Sequence, residues 1–309
     1  MSDSIKILTR LKEGEDLYVL MSGCTRNPYV ECDPETFDDY VIILLDAGMA
    51  RAELERLHKA RIPVSMARMV QKQRMVFYTS LYTMGVNAML VKEREGSTLI
   101  QVADVVKRMD PSQQKEGTVW IENPQLHLTS LYFMQRMRSG GKMEMTEELA
   151  QLQEEMSVNF GRGNFLVPLQ KEGKGIPLIR MGEEKYQPVF TDILEFQKFN
   201  RGNVLRPVVV SADRIPQVLV ADACGVVLNP MGVNVPLRIE RGNKASAVSG
   251  AASTKPGPEP GRGSEPGQGS GPGPEPGQGS EPKPEPETQK AADAEQDALP
   301  ESARTCLCG

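Results

Sequence analysis

The sequence predicts an α+β protein of two tandem related domains, each a small mixed sheet covered by helices on one face, followed by a disordered Pro/Gly/Glu-rich tail. Three observations carry this. First, short blocks recur in the same order: RIPVSMARM (61–69), VFYTSL (76–81) and GTVWIENP (117–124), then GIPLIRM (175–181), PVFTDI (188–193) and GVVLNP (225–230). Ordered recurrence with similar gaps marks a duplication. Second, apolar runs of strand length alternate with segments of helical period in both halves. Third, from Thr254 the chain reads KPGPEPGRGSEPGQGSGPGPEPGQGSEPKPEPE, with no large apolar residue until Leu299. Such a composition cannot bury enough apolar area to offset the entropy of ordering its backbone. The expected boundaries are 1–139, a diverged domain with a strand–helix insertion, 142–243, and the tail 244–309; Gly140-Gly141 breaks the chain between the halves.

In the first half, Ile5, Leu8 and Leu11 recur at helical spacing, and Gly14 ends that helix. LYVLM (17–21) and YVIILL (40–45) are short apolar runs rich in strand formers. Ala50 to Ala60 sets Ala50, Leu54 and Leu57 on one side of a helix that Pro63 stops. Strands are expected at 76–78 and 88–91, a helix from Thr98 to Met109, and a strand at 119–121 that ends on Asn123-Pro124. In the second half, Thr146 reads as a helix N-cap with Glu147 and Glu148 in the first turn. Strands at 165–169 and 176–181 are close enough for a hairpin. Val189-Phe190 continues the sheet and Asp192 caps a helix holding Ile193, Leu194 and Phe196. Val204 to Val210 contains Pro207 and reads as an edge strand, Ile215 to Ala221 as a helix, and 225–228 as a strand ending on Asn229-Pro230 before a last strand at 233–239.

Charge and composition exclude several functions. The tail from Thr254 carries ten acidic and five basic residues, a net of −5, which equals the net charge of the whole chain. The rest is therefore neutral and exerts no long-range pull on phosphate backbones or anionic lipid, so nucleic acid is not an expected partner. No apolar stretch approaches the ~20 residues of a membrane span, and the N-terminus shows no secretory signal, so a cytoplasmic location is expected. The five cysteines, Cys24, Cys32, Cys224, Cys306 and Cys308, lack zinc-knuckle spacing, and only His58 and His127 could complete such a site. No metal or cofactor is expected. Cys224 reads as a small buried hydrophobe. Cys306-Leu307-Cys308-Gly309 superficially fits a prenylation box, but glycine is not a usual final residue and no polybasic segment precedes it.

No nucleophile elbow, phosphate-cradling loop or dinucleotide fingerprint is present, and no residue is assigned a catalytic role. Candidate binding residues come from the repeated blocks. Thr79, Thr191 and Asp192 sit where a helix start could expose N–H groups to an anion, or simply cap a helix. Asn123 and Asn229 close a strand and could pair with a peptide backbone, or only turn the chain. Arg68 and Arg180 each precede a methionine; each could bind an anion or lie along the surface. His127 lies in a strand-like segment, LHLTSL, and His58 on the polar side of a helix.

The order NFLVPL, GIPLIRM, YQPVFTDI and GVVLNPMGVNVPL resembles the N-terminal domain of the SseB (enhanced serine sensitivity) family, across Glu147 to Ile239. Ile5 to Leu131 resembles it as a diverged copy, with Tyr78-Thr79-Ser80 for the aromatic-Thr-Asp block and Trp120 to Pro124 for the strand end. The resemblance implies a fold and a bacterial cytoplasmic setting, and it transfers no catalytic residue. The expected function is a non-catalytic protein-binding or regulatory module. The alternative is a small-molecule sensor or enzyme using a pocket around Thr191, Asp192, Arg180 and Asn229.

Overall fold

A computed structural model describes residues 3–94, 96–108, 120–139, 145–173 and 175–240. The segment around Gly140-Gly141 and the Pro/Gly/Glu-rich tail lie outside the described residues. The fold is mixed α+β, with sheets covered by helices. The elements of the first half are α1 (Asp3–Lys12), β1 (Leu17–Ser22), β2 (Val30–Cys32), β3 (Asp39–Leu44), α2 (Ala47–Lys59), β4 (Val64–Met69), α3 (Gln71–Thr83), β5 (Ala88–Glu93), β6 (Gly96–Gln101) and α4 (Val102–Val105). A long helix, α5 (Pro124–Ser139), leads to α6 (Glu147–Gly161), β7 (Asn164–Gln170), β8 (Ile179–Met181), β9 (Glu184–Val189), α7 (Ile193–Phe199), β10 (Leu205–Ser211), α8 (Ile215–Val218), β11 (Gly225–Leu228) and β12 (Val235–Arg238).

The two halves repeat one strand order. The first sheet runs β4-β1-β3-β5-β6, with β2 also paired to β3. In the second half β10 pairs with β7, and a bridge between Leu166 and Phe190 ties β7 to the end of β9. The order continues through β11 to β12, with β8 on the other side of β9. Directions match as well: β3 is parallel to β5 and β9 to β11, and the remaining pairs are antiparallel.

This register corrects how the repeated blocks correspond. Tyr40 faces Ala88 and Tyr186 faces Gly225, so 40–46 (YVIILLD) is the counterpart of 186–192 (YQPVFTD). Asp46 and Asp192 then fall together, and each caps the helix that follows: Asp46 accepts from Met49 N, and Asp192 from Leu194 N and Glu195 N. The segment 76–81 is not the counterpart of 188–193. It lies in α3, where Tyr78 and Leu81 face the core and Met75 and Val76 are exposed. Likewise β4 of the first half corresponds to β10, not to β8. The expected hairpin joins β8 to β9, not β7 to β8. Thr98 lies in β6, and helix begins only at Val102.

Helices lie on both faces of the first sheet, not on one. Strand alternation sends Val41, Ile43 and Leu45 to the face shared with α1, α3 and α5, while Ile42 and Leu44 pack with Ala50 and Leu57 of α2. The second half repeats this: Val189 joins the large core, while Leu166 and Phe190 meet Phe196 of α7. The large core is continuous from Ile7 to Val235, so the two halves share it. Helix α1 ends against α3. The buried Arg74 donates to the carbonyls of Arg10, Leu11, Gly14 and Glu15, and Tyr78 donates to Leu11 O at 2.9 Å. Side chains thus satisfy carbonyls that a helix terminus leaves without partners.

Candidate functional site

Helix α5 brings the most concentrated set of buried polar groups together. Asn123-Pro124 does not end a strand. Asn123 O accepts from His127 N at 3.0 Å, and Pro124 occupies the first helical position, where its missing N–H costs nothing. Leu126, Ser130, Leu131 and Met134 then face inward at helical spacing, with His127 on the same buried side.

His127 is fully buried and is surrounded by groups from three segments. Its Nε2 lies 3.0 Å from Asn27 Nδ2, in the loop between β1 and β2. Its Nδ1 lies 3.3 Å from Thr191 Oγ1 and 3.5 Å from Asp192 Oδ2, and Nε2 lies 3.8 Å from Glu195 Oε1. Thr191 Oγ1 donates to Asp192 Oδ2 at 2.7 Å and accepts from Asn229 Nδ2 at 2.8 Å, while Thr191 N donates to Asn229 Oδ1 at 3.0 Å. Asn229 holds a left-handed backbone (φ 44°), which asparagine tolerates better than most residues, so its amide can fold back onto Thr191. Asn123 Nδ2 donates to Thr191 O at 2.8 Å and to Asn164 O at 2.7 Å. The cluster reaches the surface through Lys198, whose Nζ lies 2.5 Å from Glu195 Oε1.

Burial alone would raise the Asp192 carboxyl. The His127 ring, the Thr191 hydroxyl and the Glu195 N–H outweigh it and hold Asp192 below the usual carboxylate range. Two oxygens of the cluster, Asn27 Oδ1 and Glu195 Oε2, have no hydrogen-bond partner among the described residues. Both lie beside Gly232: a Cβ there would sit 3.2 Å from Asn27 Oδ1 and 2.7 Å from Glu195 Oε2. A side chain at this position would press on both groups, and the end of the Glu195 side chain would have to shift to admit it.

A hydroxyl, an imidazole and a carboxylate in mutual reach have the ingredients of an activated nucleophile. Their accessibility decides otherwise. Thr191, Asp192, His127 and Asn229 are each 0% exposed, so a substrate has no approach to them. What the arrangement does is join Asn27 of the first half, α5 and the second half through hydrogen bonds in a low-dielectric interior.

Of the residues singled out in the sequence, the structure brings together Thr191, Asp192, Asn229 and Asn123. Arg180 is not with them: it stands on β8 with its side chain 71% exposed, donating to Gly182 O and facing Glu183. Arg68 is exposed on β4 and pairs with Asp16. Thr79 is exposed on α3 and donates to Met75 O at 2.8 Å, which is ordinary helix back-bonding. His127, Asn27 and Glu195 were missed. The signal for His127 was Asn123-Pro124 read as a helix start. Cys224 is exposed and not a buried hydrophobe; among the described cysteines the buried one is Cys24. Among the described residues no group of three or more His, Cys, Asp or Glu is placed to hold a metal ion, and no helix is long and apolar enough to cross a membrane.

No family model matches the chain, and no curated protein matches it. Among solved structures it is similar to Anabaena Tic22 (protein transport), at 13% identity over 70% of this chain and 86% of that one, with a TM-score of 0.19. It is also similar to Tic22 from Plasmodium falciparum, at 12% identity over 68% and 84%, with a TM-score of 0.20. At such TM-scores the likeness carries no argument for fold or function.

Proposed function

We propose that this chain is a non-catalytic protein-binding or regulatory module of SseB-like architecture, working in the bacterial cytoplasm. One observation supports this above others: the polar residues of the FTD and LNP blocks, Thr191, Asp192 and Asn229, spend their hydrogen-bonding capacity on one another and on His127 in a closed interior. In this reading the SseB-like motifs make the fold and carry no chemistry. Affinity capture and cross-linking of the full chain from cell lysate tests the reading. A reproducible protein partner is expected, and its absence across growth conditions would count heavily against a binding role.

The small-molecule alternative requires Arg180 to converge with Thr191, Asp192 and Asn229 in a concave site. Arg180 is instead exposed beside Glu183, so the binding-module reading is preferred.

A further inference from the structure

Two arrangements of protons fit the bonds around His127. In the first, Asn27 Nδ2 donates to Nε2, 3.0 Å away, and the ring is neutral. That arrangement leaves Asn27 Oδ1 and Glu195 Oε2, both buried, without hydrogen-bond partners among the described residues. It also leaves charge unbalanced. Asp192 and Glu195 bring two carboxylates and Lys198 one ammonium, so one negative charge stands uncompensated in the interior. A buried charge without a partner is costly.

Turning the Asn27 amide over removes both faults. Its nitrogen and oxygen exchange places with no change of shape. The oxygen then faces Nε2, which must carry a proton to meet it. Nδ1 keeps its own proton toward Thr191 Oγ1 at 3.3 Å and Asp192 Oδ2 at 3.5 Å. The amide nitrogen moves to the side on which Glu195 Oε2 lies, since both positions flank one point beside Gly232, at 3.2 and 2.7 Å. The ring becomes an imidazolium 3.5 Å from Asp192 and 3.8 Å from Glu195, and with Lys198 the cluster is neutral. Other charged groups that meet α5 or the Asn27 loop have partners of their own. Arg26 donates to Met231 Sδ, Glu155 of α6 takes the Thr129 hydroxyl, and Asp39 takes the Tyr132 hydroxyl. The first half shows that the fold does not demand this chemistry. With Tyr40 matched to Tyr186, the places of Thr191 and Glu195 are held there by Leu45 and Met49.

We propose that His127 binds a second proton in the folded protein at neutral pH, and that this proton is a ligand of the joint between the halves. Nε2–H bonds to Asn27 of the first half, and Nδ1–H reaches Thr191 and Asp192 of the second. Protonation thus ties together the segments that α5 separates. Loss of the proton would restore both the uncompensated charge and the unmet acceptors. This role is independent of what the protein binds.

Nitrogen-15 NMR of the full chain, labelled at histidine, tests the proposal. The chain has two histidines, and His58→Gln leaves the His127 ring alone in the spectrum. At about pH 7.5, one unit above the ordinary histidine value of about 6.5, an exposed ring is mainly neutral. His127 is expected to show a proton on each nitrogen, with the two nitrogens resonating close together. A His127 ring with one protonated and one bare nitrogen overturns the proposal. So does a parent spectrum in which neither ring holds two protons, without recourse to any variant. Glu195→Gln tests the cause, with circular dichroism confirming its fold. It removes one flanking carboxylate, and an opposite charge within about 4–6 Å favours the charged form, so the proton affinity of the ring is expected to fall at least about tenfold. Asp192→Asn gives the same reading where Glu195→Gln does not fold. An affinity left unchanged by the loss of a flanking carboxylate also overturns the proposal.

Discussion

Replacing Asn229 isolates what the buried cluster contributes. Asn229→Ala removes the acceptor of Thr191 N and the donor to Thr191 Oγ1, both inside the protein. A buried N–H left without an acceptor costs about 1–3 kcal/mol. Alanine must also take the left-handed backbone that Asn229 holds at φ 44°, a cost of about 1 kcal/mol that asparagine reduces by its local bonding. The two effects add to about 2–4 kcal/mol. Asn229→Gly separates them: glycine accepts the backbone but still leaves Thr191 unpaired, so it should be less destabilising than alanine by about 1 kcal/mol, less whatever its greater unfolded-state entropy removes. Urea unfolding of both variants, followed by far-ultraviolet circular dichroism, reads the midpoints directly. A loss below about 0.5 kcal/mol for Asn229→Ala would refute the view that these bonds hold the structure, because that is the range of surface substitutions.

Further consequences follow from the same structure. Asp192 is held below its ordinary pKa, so its stabilising contribution is fully present above about pH 4, the unfolded value, and fades as pH falls through the lower folded value. Asp192→Asn is therefore expected to be less stable at neutral pH and to lose less stability on acidification than the parent; parallel acid dependence in thermal melts would contradict this. Arg74→Met strips the buried guanidinium that takes up the α1 carbonyls, and is expected to cost about 3 kcal/mol and to speed hydrogen exchange in α1. Gly225→Ala would place a Cβ 2.0 Å from Leu237 O, which is backbone, so β11 and β12 must separate; unfolding or a loss beyond about 3 kcal/mol is expected in the same urea assay.

Much of this fold is legible in the chain. The strands at 17–21, 40–45, 165–169 and 225–228, the caps at Thr146 and Asp192, and the edge strand carrying Pro207 all form where local pattern places them. Pattern failed where two elements share a signal. The segment 76–81 is apolar and short, like a strand, but Arg74 and Tyr78 are drawn into one helix by the end of α1 they must cap. Its Tyr-Thr-Ser likeness to Phe-Thr-Asp therefore set the two halves in the wrong register, while Asp46, the true counterpart of Asp192, carries no strand-end block that marks it. Within the cluster, Thr191, Asp192 and Asn229 were visible because they belong to short polar blocks at strand ends. His127, Asn27 and Glu195 were not, because their meeting depends on α5 lying between the halves, which no local spacing encodes.

Native-state hydrogen exchange at the Thr191, Leu194 and Glu195 amides, bonded to Asn229 and Asp192, tests the closed cluster most directly. If this interior is a permanent joint, the three amides exchange only with global unfolding and share its free energy and denaturant slope. Exchange through a small, denaturant-insensitive opening would mean that the cluster admits solvent in the folded protein, and the account of it as a closed structural element would fail.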